Sequence, residues 1–203
     1  MFGLPKNTEY KKQLSKSKIF ENLDLTSKQT NIIDNNISTL YIVNSISKDT
    51  ISQLSQGETI KSIWLILANL KKDENIEEVS TLILKSIPHS IILILQYENK
   101  YRLGCYYNDR VIISDYIDDS YKIELNGSNL DNIYEDIVSK IGNIVIKDNY
   151  TLTEQIEEND KINSLKKEIK ILENKCKNEK QFNKKVEINK KINSLKDELK
   201  RII

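Results

Sequence analysis

Glycine, proline, histidine and cysteine are all scarce in this chain: its 203 residues hold 5, 2, 1 and 2 of them. Each shortage closes off a class of chemistry. The glycines nowhere fall into a Gly-x-x-x-x-Gly-Lys-Ser/Thr loop or a Gly-x-Gly-x-x-Gly turn. The standard P-loop and Rossmann phosphate cradles are therefore missing, and nucleotide hydrolysis is not expected. Cys105 and Cys176 share neither a metal-ligand spacing nor a disulfide framework, so both are read as free thiols. His89, the sole histidine, follows a proline and has no serine or cysteine motif beside it. Acid–base catalysis needs an oriented partner, so a structural histidine is the favoured reading. No catalytic group, metal site or cofactor is expected. Long apolar runs are lacking too: stretches such as 91–95 fall far short of the ~18–20 residues of a membrane span. Met1-Phe-Gly-Leu-Pro5 shows no basic segment leading into an apolar one. A cytoplasmic protein with no membrane partner is the expectation.

Charge, by contrast, is plentiful and unevenly spread. Residues 161–203 carry 14 Lys or Arg against 6 Asp or Glu, net +8, whereas 1–160 carry 17 against 24, net −7. The overall +1 hides this division. Lysine is abundant together with isoleucine and asparagine, as in the product of an AT-rich genome, and that bias inflates lysine without functional cause. It does not explain why acids collect in one part and bases in the other. A basic arm on an acidic body attracts nucleic acid, an acidic protein surface or the body of another copy.

The chain is long enough for one ordinary domain and an appendage. The opening, with Lys6, Lys11, Lys12, Lys16 and Lys18, reads as an extended lead-in, since Pro5 disfavours helix at Leu4. Thr26 or Ser27 caps a helix over 27–36, and Leu40-Tyr-Ile-Val43 has strand composition. After the turn at Gly57, residues 60–70 are nearly continuously apolar, as in a central strand buried on both faces. Asp73 is expected to cap a helix carrying Ile76, Val79, Leu82 and Ile83, which Pro88 ends. Strands over 90–97 and 101–107 flank a hairpin loop, and Asn108-Asp109 turns into another over 111–116. A short helix follows from Asn129, with Gly142 just past its end. The fold class is α+β: residues 1–150 form a mainly antiparallel sheet with flanking helices.

Residues 151–203 form a basic helical tail. Ile162, Leu165, Ile169, Leu172 and Cys176 follow the 3,4 spacing of a heptad seam, which returns at Ile188, Ile192, Leu195, Leu199 and Ile202. Lys161-Ile-Asn-Ser-Leu-Lys166 itself recurs as Lys191-Ile-Asn-Ser-Leu-Lys196. In one straight helix the second stripe would be rotated by about 120° from the first. A turn near 177–181 makes a helical hairpin with facing stripes, which is favoured over a continuous coiled coil. The absence of Gly and Pro there is the argument against it.

Leu4-Pro5 with Thr8, Lys85-Ser-Ile-Pro-His89 before an apolar hairpin, and Glu179-Lys-Gln-Phe-Asn-Lys-Lys-Val-Glu-Ile-Asn189 followed by Leu195 and Leu199 resemble the bacterial domain-of-unknown-function 4391 family over nearly the whole chain. The tail segment is the specific part, because a heptad does not demand it. The resemblance implies no established activity. It does imply gene neighbourhoods of DNA methyltransferases and helicases, the setting of restriction and antiphage systems.

Several constellations have both a chemical and a plain reading. Glu98-Asn99-Lys100 has the Glu-x-Lys spacing of metal-dependent nucleases but sits in a loop, where a solvated turn is favoured. Asn69-Leu70-Lys71 ends the central strand ahead of a helix and another strand, echoing a restriction-type nuclease core with an amide in the acid's place. An amide binds hard cations less well than a carboxylate, so such a site would be weak. Asp115, Asp118 and Asp119 are read as an acidic turn. In the tail, Lys177, Lys180, Lys184 and Lys185, with Lys175 before them, surround Phe182 with only Glu179 among them. They are candidates for phosphate contact, with Phe182 free to stack; the plain alternative is a solvated helical face with Phe182 inside the hairpin. Ile162, Leu165, Ile169, Leu172, Ile188, Ile192, Leu195 and Leu199 are the candidate assembly residues. The expected function is a non-enzymatic interaction or assembly subunit of a restriction-like or antiphage system, self-associating or binding a protein partner, with DNA or RNA contact through the tail. The competing readings are a metal-dependent nuclease with a degenerate core and a homodimeric scaffold.

Overall fold

The computed structural model describes residues 2–17 and 25–203; Lys18 of the basic opening lies outside them. Two compact units divide the chain, Met1–Ile144 and Val145–Ile203. In the first, β1 (Glu9–Leu14), α1 (Ser27–Asn36), β2 (Ile37–Ser47), β3 (Ser62–Leu70), α2 (Ile76–Ser86), β4 (Ser90–Tyr97), β5 (Lys100–Tyr107), β6 (Arg110–Ile113) and α3 (Leu130–Ile141) follow in order. The six strands make one sheet in sequence order. Every pairing is antiparallel except β3 with β4, which α2 joins as a parallel crossover. This is the α+β class with a mostly antiparallel sheet.

The continuous apolar runs of β3 and β4 follow from that position. Register sets Ile66 against Leu93 and Ala68 against Leu95. These four share a core with Ile33 of α1 and with Val79 and Ile83 of α2. Alternation along the strands puts Ile63, Leu65, Ile92 and Ile94 on the other face, and all are buried. There α3 lies, with Leu130, Ile133, Ile137 and Ile141 buried. Its Tyr134 hydroxyl donates toward the carbonyls of Ile91 (3.3 Å) and Tyr106 (3.0 Å). Burial pushes the nearby Cys105 thiol up to about 12, so this free cysteine stays protonated and unreactive.

The caps and edges carry the local logic. Thr26 and Gln29 form a capping box at α1, and Asn129 Oδ1 accepts from the Asn132 N–H (2.9 Å) at α3. Asp73 does not cap α2. Left-handed Asn75 (φ 53°) precedes that helix without a side-chain bond, and the Asp73 carboxylate accepts the Tyr116 hydroxyl instead. The basic lead-in is an edge strand paired with β2 through an irregularity between Glu9 and Lys12. Its exposed lysines, Lys11 and Lys12, suit an edge that must not pair further. Buried Thr8 donates to the Pro5 carbonyl (2.7 Å) and accepts from Asn44 Nδ2 (2.8 Å). Those bonds give Leu4-Pro5-Thr8 a structural role.

One carboxylate ties the loop before β3 to the first turn of α3. Asp131 Oδ2 accepts from the backbone N–H of Glu58 (2.6 Å) and Thr59 (3.3 Å), while Oδ1 accepts from Thr59 Oγ1 and the Ile60 N–H (both 2.8 Å). Gly57 permits this approach, for a Cβ there would stand 2.3 Å from Asp131 Oδ1. Desolvation works to raise the Asp131 pKa, yet the bonds from Ile60, Thr59 and Glu58 hold it below its ordinary 3.8. A depressed folded pKa stabilises fully above the ordinary value and loses that contribution as pH falls through the lowered one. Asp131→Ala is expected to cost about 1–2 kcal/mol in urea unfolding at neutral pH, allowing for partial solvation of the carboxylate. The gap from wild type should close in acid; a gap indifferent to pH would count against the bracket.

Candidate functional site

The second unit is a helical hairpin, α4 (Leu152–Asn178) and α5 (Phe182–Ile202). Thr151 and Glu154 close a capping box at its start. Ahead of it, the Lys147 N–H donates to buried Gln155 Oε1 (3.0 Å), and the Lys147 ammonium pairs with Glu158 (2.6 Å). The two heptad stripes face each other. Ile169, Cys176 and Ile192 are buried, and Leu172, Ile188, Leu195 and Leu199 pack round them; Leu165 is buried and Ile162 half-buried. The seam closes within one chain, so six of the eight candidate assembly residues, all but Ile162 and Leu165, are packed within their own hairpin. Cys176 Sγ is directed at Asn189 Oδ1 (3.5 Å) and the Lys185 carbonyl (3.8 Å). Along the shank, Lys161–Glu198 (3.1 Å), Lys191–Glu168 (2.8 Å) and Lys196–Glu173 (2.6 Å) pair across the two helices.

A carboxylate also makes the turn that glycine or proline would ordinarily make. Glu179 leaves helical geometry (φ −72°, ψ 130°). Its Oε1 accepts from the Gln181 N–H (2.8 Å) at the start of α5, where Gln181 supplies no side-chain cap. The bond from Gln181, with help from the Lys180 N–H and the charges of Lys184 and Lys175, holds the Glu179 pKa below the usual range against desolvation. Its charge is thus engaged with backbone groups at the turn.

Around this turn, Lys175 and Lys177 end α4, Lys180 lies in the connection, and Lys184 and Lys185 occupy the first turn of α5. All five are exposed. Among the described residues none of them enters an ion pair, unlike the shank lysines. Phe182 opens α5 with 78% of its surface exposed, so it is not in the hairpin core. Helical phase is the reason: counted at 100° per residue, Phe182 sits about 110° round the helix from the middle of the Ile188, Ile192, Leu195 and Leu199 stripe. Val186, one turn on, shares its side of the helix, and Ile171 is exposed on α4. The structure therefore gathers the five candidate lysines and Phe182 at one end of the hairpin, exposed and, among the described residues, outside any ion pair, with the Glu179 carboxylate in electrostatic reach of Lys175 and Lys184 and that of Glu173 in reach of Lys177.

The other candidates are placed differently. Asn69 Nδ2 donates to Thr39 Oγ1 (2.7 Å), and the Lys71 ammonium is tied to the Asp34 carbonyl (2.6 Å). Glu98, at φ 53°, is half of the two-residue turn between β4 and β5. Asp118 accepts from Ser120 Oγ (2.5 Å) and N–H (2.9 Å), which lower its pKa and spend one oxygen on a turn. No group of three metal-ligating side chains gathers among the described residues. His89 is exposed at a groove of about 640 Å³ with Thr59, Lys61, Lys85, Tyr106 and Tyr134 in its lining. No carboxylate is found among the described residues lining it. Lys61 there is bonded to the carbonyls of Gly57 (2.8 Å) and Glu58 (3.1 Å).

A family model described as Domain of unknown function (DUF4391) matches residues 2–199, across both units. No curated protein and no solved structure gives a match. Among the described residues, no helix is long and apolar enough to cross a membrane.

Because the seam closes within the chain, Leu195→Asp is expected to melt the hairpin, placing an unpaired charge against the buried cluster of Ile169, Cys176 and Ile192. Ile192→Ala should destabilise it more mildly, by about 2–4 kcal/mol. Far-UV circular dichroism of dilute protein reads both. Full helicity in Leu195→Asp would show that the stripes do not face each other.

Proposed function

The chain belongs to the family Domain of unknown function (DUF4391), and on that footing we propose that it is a non-enzymatic interaction subunit whose hairpin tip contacts nucleic acid. The restriction-like or antiphage setting implied by the family resemblance is consistent with such a role. The observation that carries the reading is the state of Lys175, Lys177, Lys180, Lys184 and Lys185. They are exposed, unpaired among the described residues and brought together by a turn. Lysines a few residues apart repel one another, and a polyanion relieves that repulsion while releasing its own counterions. The shank shows the contrast, since Lys161, Lys191 and Lys196 have carboxylate partners across the hairpin. A protein partner would meet exposed apolar side chains such as Ile171, Phe182 and Val186.

Salt dependence tests this directly. Affinity of the full chain for a duplex should fall linearly with the logarithm of salt, with a slope of about −0.9 per phosphate contact. Replacing Lys177, Lys180, Lys184 and Lys185 together by Gln is expected to flatten that slope by up to about 3.6. No binding at low salt, or an unchanged slope in the variant, would sink the reading; the basic arm would then be suited to an acidic protein surface.

A further inference from the structure

We infer that the hairpin tip takes single-stranded in preference to duplex nucleic acid, with Phe182 as the platform on which an unpaired base stacks. This rests on the reading of the tip as a nucleic-acid contact and adds its substrate class. A phenyl ring that is 78% exposed forgoes the burial that a core position offers. Helical phase keeps it out of the seam, and among the described residues no aromatic ring or cation lies against it. As the first residue of α5 it is held on a rigid element beside the connection, with Lys180 before it and Lys184 and Lys185 after it.

The chemistry of the side chain narrows the occupant. Phenylalanine has no donor or acceptor, so it cannot read base edges in a groove by hydrogen bonding. Its use to a polyanion is its face. In a duplex the base faces are already stacked on one another, and a wedge must first pay to unstack them. In a single strand those faces are available, and lysines along the backbone with an aromatic ring beneath a base are the recurring form of such sites. Val186, 37% exposed one turn along, extends the apolar side of the platform.

The experiment uses the full chain and labelled strands of about 20 nucleotides, longer than the ~4–16 that single-strand modules cover, with a duplex of equal length. Anisotropy at low salt should show tighter binding to the single strand. Phe182→Ala should weaken single-strand binding by about 5- to 150-fold, the range for one stacked base, and weaken duplex binding by a smaller factor. Phe182→Leu keeps an apolar side chain without a π-face and should behave as Ala. Phe182→Trp should restore affinity, and its fluorescence should be quenched on adding single strand, against the background of one natural tryptophan, Trp64. Equal affinity for both forms, or full single-strand affinity in Phe182→Ala or Phe182→Leu, overturns the inference. The reading beneath it survives that result if the four-lysine variant still loses binding. Wild-type protein that binds neither form overturns both.

Discussion

Two adjacent parallel strands without water on either face set the terms for the first unit. Once β3 and β4 run the same way, their connection must cross the sheet, and α2 in that crossover covers one face with α1 beside it. The opposite face then needs its own cover, which α3 gives. Placing α3 is not a matter of apolar contact alone, because hydrophobic packing is non-directional. Asp131 supplies the direction by fastening the first turn of α3 to the loop that leads into β3. The close approach of the Asp131 carboxylate to Gly57 is a consequence of that fastening, and a Cβ at that position would have to displace it.

In the second unit the decisive constraint near the tip is phase. Seam residues repeat at intervals that keep one side of each helix facing the other, and an apolar residue off that side, such as Ile171 or Phe182, is left exposed. Phe182 is the clearest case. Lysines in the first turn of α5, with no acid among them, also stand against the positive end of the helix dipole. Asp or Glu there would suit the fold better. Local rules broken together at one place are the expected mark of a site kept for something other than stability, and the proposed contact rests on that ground.

Much of this fold was legible because burial writes periodicity into a sequence. The two-face run of β3, the helix from Asn129 and the facing heptads carry that signature, while the cap at Thr26 was legible from its local hydrogen-bonding chemistry. β1 does not, since an edge strand that is almost wholly exposed has no apolar alternation to read. The cap assigned to Asp73 failed for a non-local reason: its carboxylate is engaged by Tyr116, 43 residues away. At the tip, composition revealed the lysines but not their freedom. Which lysines are neutralised depends on the register that sets Glu168, Glu173 and Glu198 beside Lys191, Lys196 and Lys161. The exposure of Phe182 was available from helical phase alone; the turn at Glu179 was not, because glutamate is no ordinary breaker.

The charge asymmetry itself takes a different form once the units are drawn. Residues 145–203 hold 15 Lys or Arg against 11 Asp or Glu, so the hairpin as a whole is only modestly basic. Its polarity runs along its length. Glu154, Glu157, Glu158 and Asp160 lie in the opening turns of α4, and the tip lysines lie at and beyond the far end of that 27-residue helix, with Lys175 and Lys177 about 22–35 Å along the axis from those acids. At physiological ionic strength the screening length is about 8 Å. Acids at the open end therefore cannot cancel the field at the tip, and a polyanion approaching from solution meets a local cationic end on a nearly balanced molecule. Bulk net charge near zero and a concentrated cationic end are compatible for that reason: net charge sums over the whole chain, whereas the field near the tip is set by the charges within a screening length of it.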